Sequence, residues 1–175
     1  TENWKRPKKE VSFLMNLFSD LLMKELQGLH KNNVCVKIMG DKTQFSSDLN
    51  EKINAIEQQT QHNTDLQFNI LMNYGSRHEM VSGINAIIEE VKKGNVDTIT
   101  EDTFSNYLYT SGLPDPELLI RTSKEYRISN YMLWQIAYSE LIFTEVLWPD
   151  FKRDPFIQCL QEYQSRNRRF GGVKN

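Results

Sequence analysis

A regular alternation of short apolar segments with longer segments of helical periodicity constrains the fold more than any other feature. Val34–Met39 is apolar and rich in β-branched residues up to Gly40, and Leu66–Met72 alternates apolar with polar side chains. Each of these segments predicts a strand. Lys8–His30 and Arg77–Lys93 repeat their apolar residues at helical spacing, and each predicts a helix. Strands separated by helices are typical of α/β proteins with a mainly parallel central sheet flanked by helices.

The remaining segments continue this alternation. Asp48 with Glu51 three residues later marks the start of a helix. Asp154-Pro155 opens the last helix, with the proline at its first position. The other predicted elements are a short helix at Glu101–Tyr109, a strand at Leu118–Thr122, a helix at Asn130–Tyr138 and a strand at Leu141–Glu145.

The long helix at Lys8–His30 has two apolar stripes. The first consists of Val11, Leu14, Phe18, Leu22 and Leu29, and the second of Phe13, Leu17 and Leu21. One stripe is sufficient for docking on a sheet, so the second indicates either burial on two sides or a second hydrophobic environment. The inward face predicted for the helix Arg77–Lys93 consists of Met80, Ile84, Ile87, Ile88 and Val91.

Length and composition indicate a soluble protein of one domain, residues 1–175. The net charge of −2 gives no general attraction to nucleic acid or to anionic lipid. No apolar run approaches the roughly 18 residues of a membrane span, and no signal peptide is visible. Cys35 and Cys159 lack the spacing of a metal or redox motif, which predicts buried, reduced thiols in a cytoplasmic protein.

Two arginines and a serine lie close together in sequence at a predicted junction of strand and helix. Arg121, Arg127 and Ser129 fall within nine positions, and Ser129 is placed to cap a helix that begins at Asn130. Arginine presents a planar fork to phosphate oxygens, and the free N–H groups of a helix N-terminus favour an anion. The segment therefore predicts a phosphate-binding site. The alternative is that both arginines are surface charges and Ser129 is only a cap.

The sequence of Arg121–Phe151 resembles the signature of the cis-prenyltransferases, in particular the bacterial undecaprenyl diphosphate synthases. It reads RTSKEYRISNYMLWQIAYSELIFTEVLWPDF. Three further segments match family motifs in the same order. They are Thr1–Pro7 (TENWKRP), Asn73–Arg77 (NYGSR) and Arg168–Gly172 (RRFGG). Four separate motifs in the right order identify the chain as a member of this family.

The resemblance implies a reaction, a fold and an assembly. Members of the family join isopentenyl diphosphate to an allylic diphosphate, commonly farnesyl diphosphate, with Mg²⁺, and the bacterial enzymes make undecaprenyl diphosphate for the cell-wall lipid carrier. The resemblance implies a cis-prenyltransferase-like α/β fold, a homodimer, and a peripheral contact with the membrane through the lipid product. Because the chain starts at Thr1 inside a motif, we expect the first strands and an Asp-Gly-Asn motif to lie upstream. We expect this portion alone not to catalyse.

The resemblance also implies roles for individual residues. Arg121, Arg127 and Ser129 would hold the isopentenyl diphosphate, and Glu140 would belong to the acidic set around magnesium. Asn3 and Arg6 would act in catalysis from a loop that closes over the substrates, with Trp4 packed against the prenyl group or the loop. Arg169 and Gly171 would reach the active site of the partner subunit, Leu66 would lie near the floor of a tunnel for the growing prenyl chain, and the helix Lys8–His30 would line that tunnel.

Several alternatives stay open from the sequence. Glu140 would need no metal if it paired with a neighbouring arginine, and Arg166–Arg169 would also suit a solvated helix end. Lys124 and Ser76 stand where the family usually has glycine, so Lys124 either strains the diphosphate loop or adds a cation to it. A non-catalytic partner subunit of a heteromeric enzyme is the main alternative function. A nucleic-acid-binding module is disfavoured by the net negative charge.

Overall fold

The computed structural model describes residues 7–167, apart from the side chains of Leu22, Met23, Leu26 and Gln27. The chain divides into two compact units, Thr1–Ser111 and Gly112–Asn175. In the described part of each unit, two strands pair in parallel and are accompanied by helices. The predicted α/β organisation with parallel strands is therefore confirmed.

The first unit follows the predicted order of elements closely. Its elements are α1 (Lys8–Lys31), β1 (Val34–Met39), α2 (Ser47–Thr60), β2 (Leu66–Leu71), α3 (Ser76–Lys92) and α4 (Glu101–Ser105), with a 3-10 turn at Lys42–Gln44. Helix α2 begins one residue before the predicted Asp48, because Ser46 is its N-cap and accepts a hydrogen bond from the Leu49 N–H. Helix α4 is shorter than the predicted Glu101–Tyr109.

The core of the first unit lies between β1 and helices α1 and α2. Val36 on β1 packs in one cluster with Ile53 and Ile56 of α2, and Phe18 of α1 packs against that cluster. The outer edge of β1 is closed by side chains of α2. The Val36 N–H donates to Thr60 Oγ1 at 3.0 Å, and the Ile38 N–H donates to Glu57 Oε1 at 2.8 Å. Buried backbone donors of this strand thus have partners without a further strand on that side.

The two stripes of α1 face different surroundings. Phe18 and Leu29 of the first stripe pack against the core, whereas Leu14, assigned to the same stripe, is exposed. The second stripe is exposed as a whole, with 65% of Phe13 accessible to solvent, and it also contains Leu17 and Leu21. The alternative of a helix buried on two sides is therefore wrong for the described structure, and α1 presents a continuous apolar surface.

Strand β2 departs from the predicted apolar face at its beginning. Leu66 and Phe68 pair in register with Val34 and Val36 on β1, so the four side chains share one face of the sheet. The two valines are buried, but Leu66 is 59% exposed and Phe68 is also exposed. The reason is that α1 and α2 pack over β1. An interpretation of Leu66 as an ordinary core residue is not supported.

Helix α3 buries a different face from the one that hydrophobicity predicts. Of the predicted inward residues only Ile87 is buried and Met80 is partly buried, whereas Ile84, Ile88 and Val91 are exposed. The buried face consists of Ser76, Glu79, Gly83 and Ile87. A Cβ at Gly83 would lie 3.2 Å from the carbonyl oxygen of Tyr107. Small and polar residues occupy this face because the chain that follows α3 approaches it closely.

The second unit consists of β3 (Leu118–Arg121), β4 (Glu140–Phe143) and α5 (Arg153–Ser165), with a 3-10 turn at Trp148–Asp150. Pro155 is the third residue of α5, not the first as predicted. The predicted strand Leu141–Glu145 begins one residue earlier and ends two residues earlier. Strands β3 and β4 pair in parallel, with Leu118 opposite Glu140 and Arg121 opposite Phe143.

The helix predicted at Asn130–Tyr138 is not formed. Ser129, Asn130 and Met132 have left-handed backbone angles, with φ of 54°, 60° and 46°, and the segment continues as turns. Left-handed residues cannot enter a right-handed helix. Ser129 consequently does not cap a helix, and the predicted contribution of a helix N-terminus to anion binding is absent at this position.

Cys35 and Cys159 are buried free thiols, as predicted. Burial raises the pKa of the Cys159 thiol, which disfavours the reactive thiolate. Among the residues that the structure describes, no helix combines the length and the apolar character needed to cross a bilayer.

Candidate functional site

Arg121 and Ser129 meet at the carboxyl end of β3. Arg121 is the last residue of the strand, and its Nη1 donates to Ser129 Oγ at 3.2 Å and to the carbonyl oxygen of Arg127. The chain from 122 to 128 therefore forms a loop whose two ends are held together by the Arg121 guanidinium. Ligand sites in open parallel sheets lie at the carboxyl ends of the strands, and this loop, the cationic loop of residues 121–129, occupies that position.

The cationic loop is anchored to the segment after β4. The Ser123 N–H donates to the Val146 carbonyl at 2.8 Å, and the Lys124 N–H donates to the Thr144 carbonyl at 3.0 Å. Ser123 and Lys124 both have left-handed backbones, with φ of 68° and 57°. Such a conformation costs roughly 1–2 kcal/mol for a residue with a Cβ. The backbone hydrogen bonds hold the turn in place against that cost.

Each remaining cation of the loop has an acidic partner. Arg127 pairs with Glu125, and Lys124 Nζ lies 3.3 Å from Glu145 Oε1. The Tyr126 hydroxyl donates to the same Glu145 oxygen at 3.4 Å. Both ion pairs are largely exposed to solvent, and exposed pairs contribute little net free energy, about 0–1 kcal/mol. A multiply charged anion can therefore replace these carboxylates at low cost.

Glu140 lies at the opposite end of the strands from Arg121. It is the first residue of β4, and Phe143, three residues further on, is opposite Arg121. At roughly 3.3 Å of rise per residue, about 10 Å of strand separates the two levels. Glu140 Oε2 accepts a hydrogen bond from Arg166 Nη1 at 2.9 Å. Glu140 therefore pairs with an arginine in the structure, which the sequence analysis gave as the alternative to a role at the metal.

Arg166 fixes the end of α5 to the start of β4. Besides Glu140 it donates to the Leu141 carbonyl at 3.0 Å and to a Glu162 carboxylate oxygen. Hydrogen bonds to Glu140 and Glu162 raise the pKa of the Arg166 guanidinium above its usual value. Within residues 7–167 no group of three or more His, Cys, Asp or Glu side chains could hold a metal ion. Because Mg²⁺ is commonly held by one or two carboxylates together with substrate phosphates, the metal role of Glu140 stays a prediction.

The first unit contains a buried carboxylate for which the sequence predicted no role. Glu79 on α3 is 1% exposed, accepts a hydrogen bond from the Tyr74 hydroxyl at 2.6 Å, and accepts the Tyr109 N–H at 2.8 Å. It thereby ties the turn between β2 and α3 to the chain after α4. The only sequence signal was an acidic residue in the first turn of a helix, which is common on exposed helices as well.

The two departures from the family's glycines differ in consequence. Ser76 is the fully buried first residue of α3 and is not among the residues with positive φ. A side chain at this position therefore carries no backbone penalty. Lys124 has a left-handed backbone, so the strain predicted for it is present.

Several predicted site residues lie outside the described residues. They are Asn3, Trp4, Arg6, Arg169 and Gly171. Their roles stay predictions. Of the others, the structure brings Arg121 and Ser129 together, places Arg127 in the same loop, and locates Glu140 at the far end of the strands. Leu66 belongs to the first unit.

Comparisons with known proteins agree on the family. A family model described as "Putative undecaprenyl diphosphate synthase" matches residues 1–171. The chain is 52% identical to an isoprenyl transferase of Bacillus subtilis, covering 99% of this chain and 67% of that protein. It is 49% identical to a ditrans,polycis-undecaprenyl-diphosphate synthase, (2E,6E)-farnesyl-diphosphate specific, of Haemophilus influenzae, covering 99% of this chain and 74% of that protein.

Solved structures give the same result. Lavandulyl diphosphate synthase from Lavandula x intermedia, in complex with dimethylallyl diphosphate, matches with a TM-score of 0.94 and 33% identity, over 98% of this chain and 75% of that one. A probable undecaprenyl diphosphate synthase from Campylobacter jejuni matches with a TM-score of 0.87 and 34% identity, over 98% of this chain and 79% of that one. The α/β fold is thus that of a class of enzymes that transfer prenyl groups. The chain belongs to the cis-prenyltransferase family, as its motifs predicted.

Proposed function

We propose that this chain, as part of the full-length protein, condenses isopentenyl diphosphate with an allylic diphosphate, farnesyl diphosphate being the expected primer, to make a long-chain polyprenyl diphosphate of the undecaprenyl type. The observation that carries the proposal is the contact of Arg121 with Ser129 at the carboxyl end of β3. The relative from Haemophilus influenzae bears the name of a farnesyl-diphosphate-specific synthase. Its 49% identity across the chain supports the same reaction here.

The reaction needs charge stabilisation rather than a protein nucleophile. The bond between C1 and oxygen of the allylic diphosphate breaks, and the diphosphate leaves with the electron pair. The double bond of isopentenyl diphosphate attacks C1, and loss of a proton forms the new double bond. Preorganised cations stabilise charge of this kind more effectively than water does. Arg121 and Arg127 supply two cations on one loop, and Ser129 adds a hydroxyl that contacts Arg121.

The described residues hold the substrate phosphates by fixed donors. Arg121 already uses one nitrogen on Ser129 and on the carbonyl of Arg127, which orients its guanidinium before a ligand arrives. Arg127 is oriented by Glu125 on the same loop. Preorganisation of this kind reduces the ordering cost of binding. A requirement for Mg²⁺ stays part of the proposal, with no step assigned to the metal.

The exposed apolar surface of the first unit suits a growing prenyl chain. Phe13, Leu17 and Leu21 form one exposed stripe on α1, and Leu66 and Phe68 are exposed on the sheet face over which α1 packs. Large apolar patches that remain open to solvent mark sites of binding or association. A polyprenyl chain is the ligand that the proposed reaction produces, and these side chains offer it hydrocarbon contact.

Replacing Leu66 by alanine in the full-length protein is expected to lengthen the products. Room rather than chemistry would stop elongation, and Leu66 is too exposed for its truncation to cost the roughly 2–5 kcal/mol of a core leucine. The measurement is chromatography of the products beside a thermal melt. Val81→Ala, at an exposed apolar residue of α3, is the matched control and should leave product length unchanged. A lower melting temperature with unchanged products would reject the tunnel role.

We further propose a homodimer in which the segment Arg168–Gly172 acts on the active site of the partner. The support is the Arg-x-Gly pattern in the sequence, with a forked cation for phosphate oxygens and glycine for close approach. The test mixes a subunit truncated after Arg166 with a full-length subunit carrying Arg121→Ala. We expect each parent to be nearly inactive and the mixed dimer to recover activity. Confirmed mixed dimers without recovery would exclude action on the partner.

A further inference from the structure

We propose that Lys124 is an additional diphosphate-binding cation of the cationic loop, held near the ligand position by Glu145 until a diphosphate replaces that carboxylate. The inference rests on the proposed function and adds a residue to its site. Lys124 lies three positions after Arg121 and three before Arg127.

The charge of the loop changes substantially with this residue. Residues 121–129 contain three cations, Arg121, Lys124 and Arg127, and one anion, Glu125, for a net charge of +2. With glycine at position 124 the net charge would be +1. A multiply charged diphosphate is attracted in proportion to that charge. Lys124 thus doubles the net charge that the loop presents to its ligand.

The backbone of Lys124 indicates that its side chain has a function. The residue is held at φ 57°, a left-handed conformation that glycine adopts without cost. Its N–H is fixed on the Thr144 carbonyl, and the preceding Ser123 N–H is fixed on the Val146 carbonyl. Strained residues that the surrounding structure holds in place are concentrated at ligand-binding sites. We therefore expect the Lys124 side chain to make an interaction at this site that offsets the backbone strain.

The ammonium group of Lys124 is available for exchange. Nζ lies 3.3 Å from Glu145 Oε1, and the two side chains are 66% and 68% exposed. Glu145 Oε1 also accepts the Tyr126 hydroxyl at 3.4 Å, so this carboxylate keeps a partner after Lys124 leaves it. Solvated pairs of this kind are weak and are screened by salt. The lysine can therefore move from one carboxylate to a more highly charged diphosphate.

A purely structural role is the competing explanation. In that case the pair of Lys124 with Glu145 would only tether the loop to the segment after β4. The two roles predict different effects of neutralising Glu145. If the pair only tethers the loop, replacing either residue should weaken ligand binding equally. If Lys124 binds the diphosphate, Glu145→Gln releases the lysine side chain and should not weaken ligand binding.

The experiment is calorimetric titration of isopentenyl diphosphate into the 175-residue chain and its variants. We expect Lys124→Gln to weaken binding by about fivefold to tenfold, and Lys124→Arg to stay within about threefold of the parent, because one partly screened charge contact is removed or kept. Glu145→Gln should bind at least as tightly as the parent. Lys92→Gln is the matched control, because its pair with Glu89 has similar exposure, 65% and 61%, and lies on α3. Thermal melts establish that each variant is folded.

Each outcome has one consequence. Equal weakening by Lys124→Gln and Glu145→Gln would overturn the binding role in favour of the tether. Unchanged binding by Lys124→Gln, with strong loss in Arg121→Ala, would overturn the inference and leave the proposed function intact. No loss in Arg121→Ala would contradict the proposed function itself. A parallel titration with farnesyl diphosphate distinguishes the two substrates. If Lys124→Gln weakened the binding of farnesyl diphosphate alone, Lys124 would not belong to the binding site for isopentenyl diphosphate.

Discussion

Replacement of Arg121 by alanine is expected to weaken the binding of isopentenyl diphosphate by about ten- to a hundredfold, since a charge-assisted hydrogen bond contributes roughly 1.5–3 kcal/mol. The effect should exceed that of any other single change in the loop. Arg121 contacts Ser129 and the carbonyl of Arg127, so its loss also frees the two ends of the loop. The measurement is the dissociation constant of isopentenyl diphosphate, together with its Michaelis constant in the full-length protein.

The controls for Arg121 separate a lost contact from a lost loop. Ser129→Ala removes the hydroxyl that orients Arg121 and should weaken binding less than Arg121→Ala does. Arg153→Ala removes an exposed arginine at the start of α5 and should leave affinity unchanged. Affinity for the allylic diphosphate should fall less than affinity for isopentenyl diphosphate. An unchanged Michaelis constant for isopentenyl diphosphate in Arg121→Ala would reject the assignment of this residue.

Replacement of Glu79 by alanine is expected to reduce the free energy of unfolding by about 2–5 kcal/mol. The change leaves the Tyr74 hydroxyl and the Tyr109 N–H without their carboxylate acceptor. An unsatisfied buried donor costs about 1–3 kcal/mol, and the removed side chain adds a cavity. The measurement is urea unfolding followed by circular dichroism, with the slope of the transition compared between variants.

Glu89→Ala is the matched control for Glu79, because Glu89 is on the same helix and makes an exposed pair with Lys92. Its effect should stay within about 0.5 kcal/mol, as is usual for surface substitutions. Glu79→Gln retains an acceptor oxygen and should be less damaging than alanine. Equal stability of Glu79→Ala and Glu89→Ala would show that the buried carboxylate does not hold the turn between β2 and α3.

The periodicity of apolar residues predicted helices and strands correctly where the buried residues are also the apolar ones. Strand β1 has the predicted bounds, and α1 differs from its prediction by one residue at its end. On α3 the prediction of the buried face was wrong. Gly83 and Glu79 face the segment that follows the helix, whereas Ile84 and Ile88 are exposed. A close backbone approach selects small residues, and a hydrogen-bonded turn selects a carboxylate. Neither requirement produces an apolar period.

The site shows a similar division. The spacing of Arg121 and Ser129 predicted their proximity correctly, since a loop of this length can return to the end of its strand. The helix expected after Ser129 was wrong, because the backbone angles at Ser129 and Asn130 depend on tertiary contacts rather than on helix propensity. The partner of Glu140 also required the structure, since Arg166 is 26 residues away in the chain.

Side chains of α2 close the sheet of the first unit along the outer edge of β1. Thr60 and Glu57 occupy the N–H groups of Val36 and Ile38, to which another strand would otherwise bind. Exposed strand edges are templates for pairing between molecules and for aggregation. Helix α2 therefore terminates this sheet on one side, as edge charges and covering loops do elsewhere. A further strand on the β1 side would have to displace these two side chains before it could pair with the sheet.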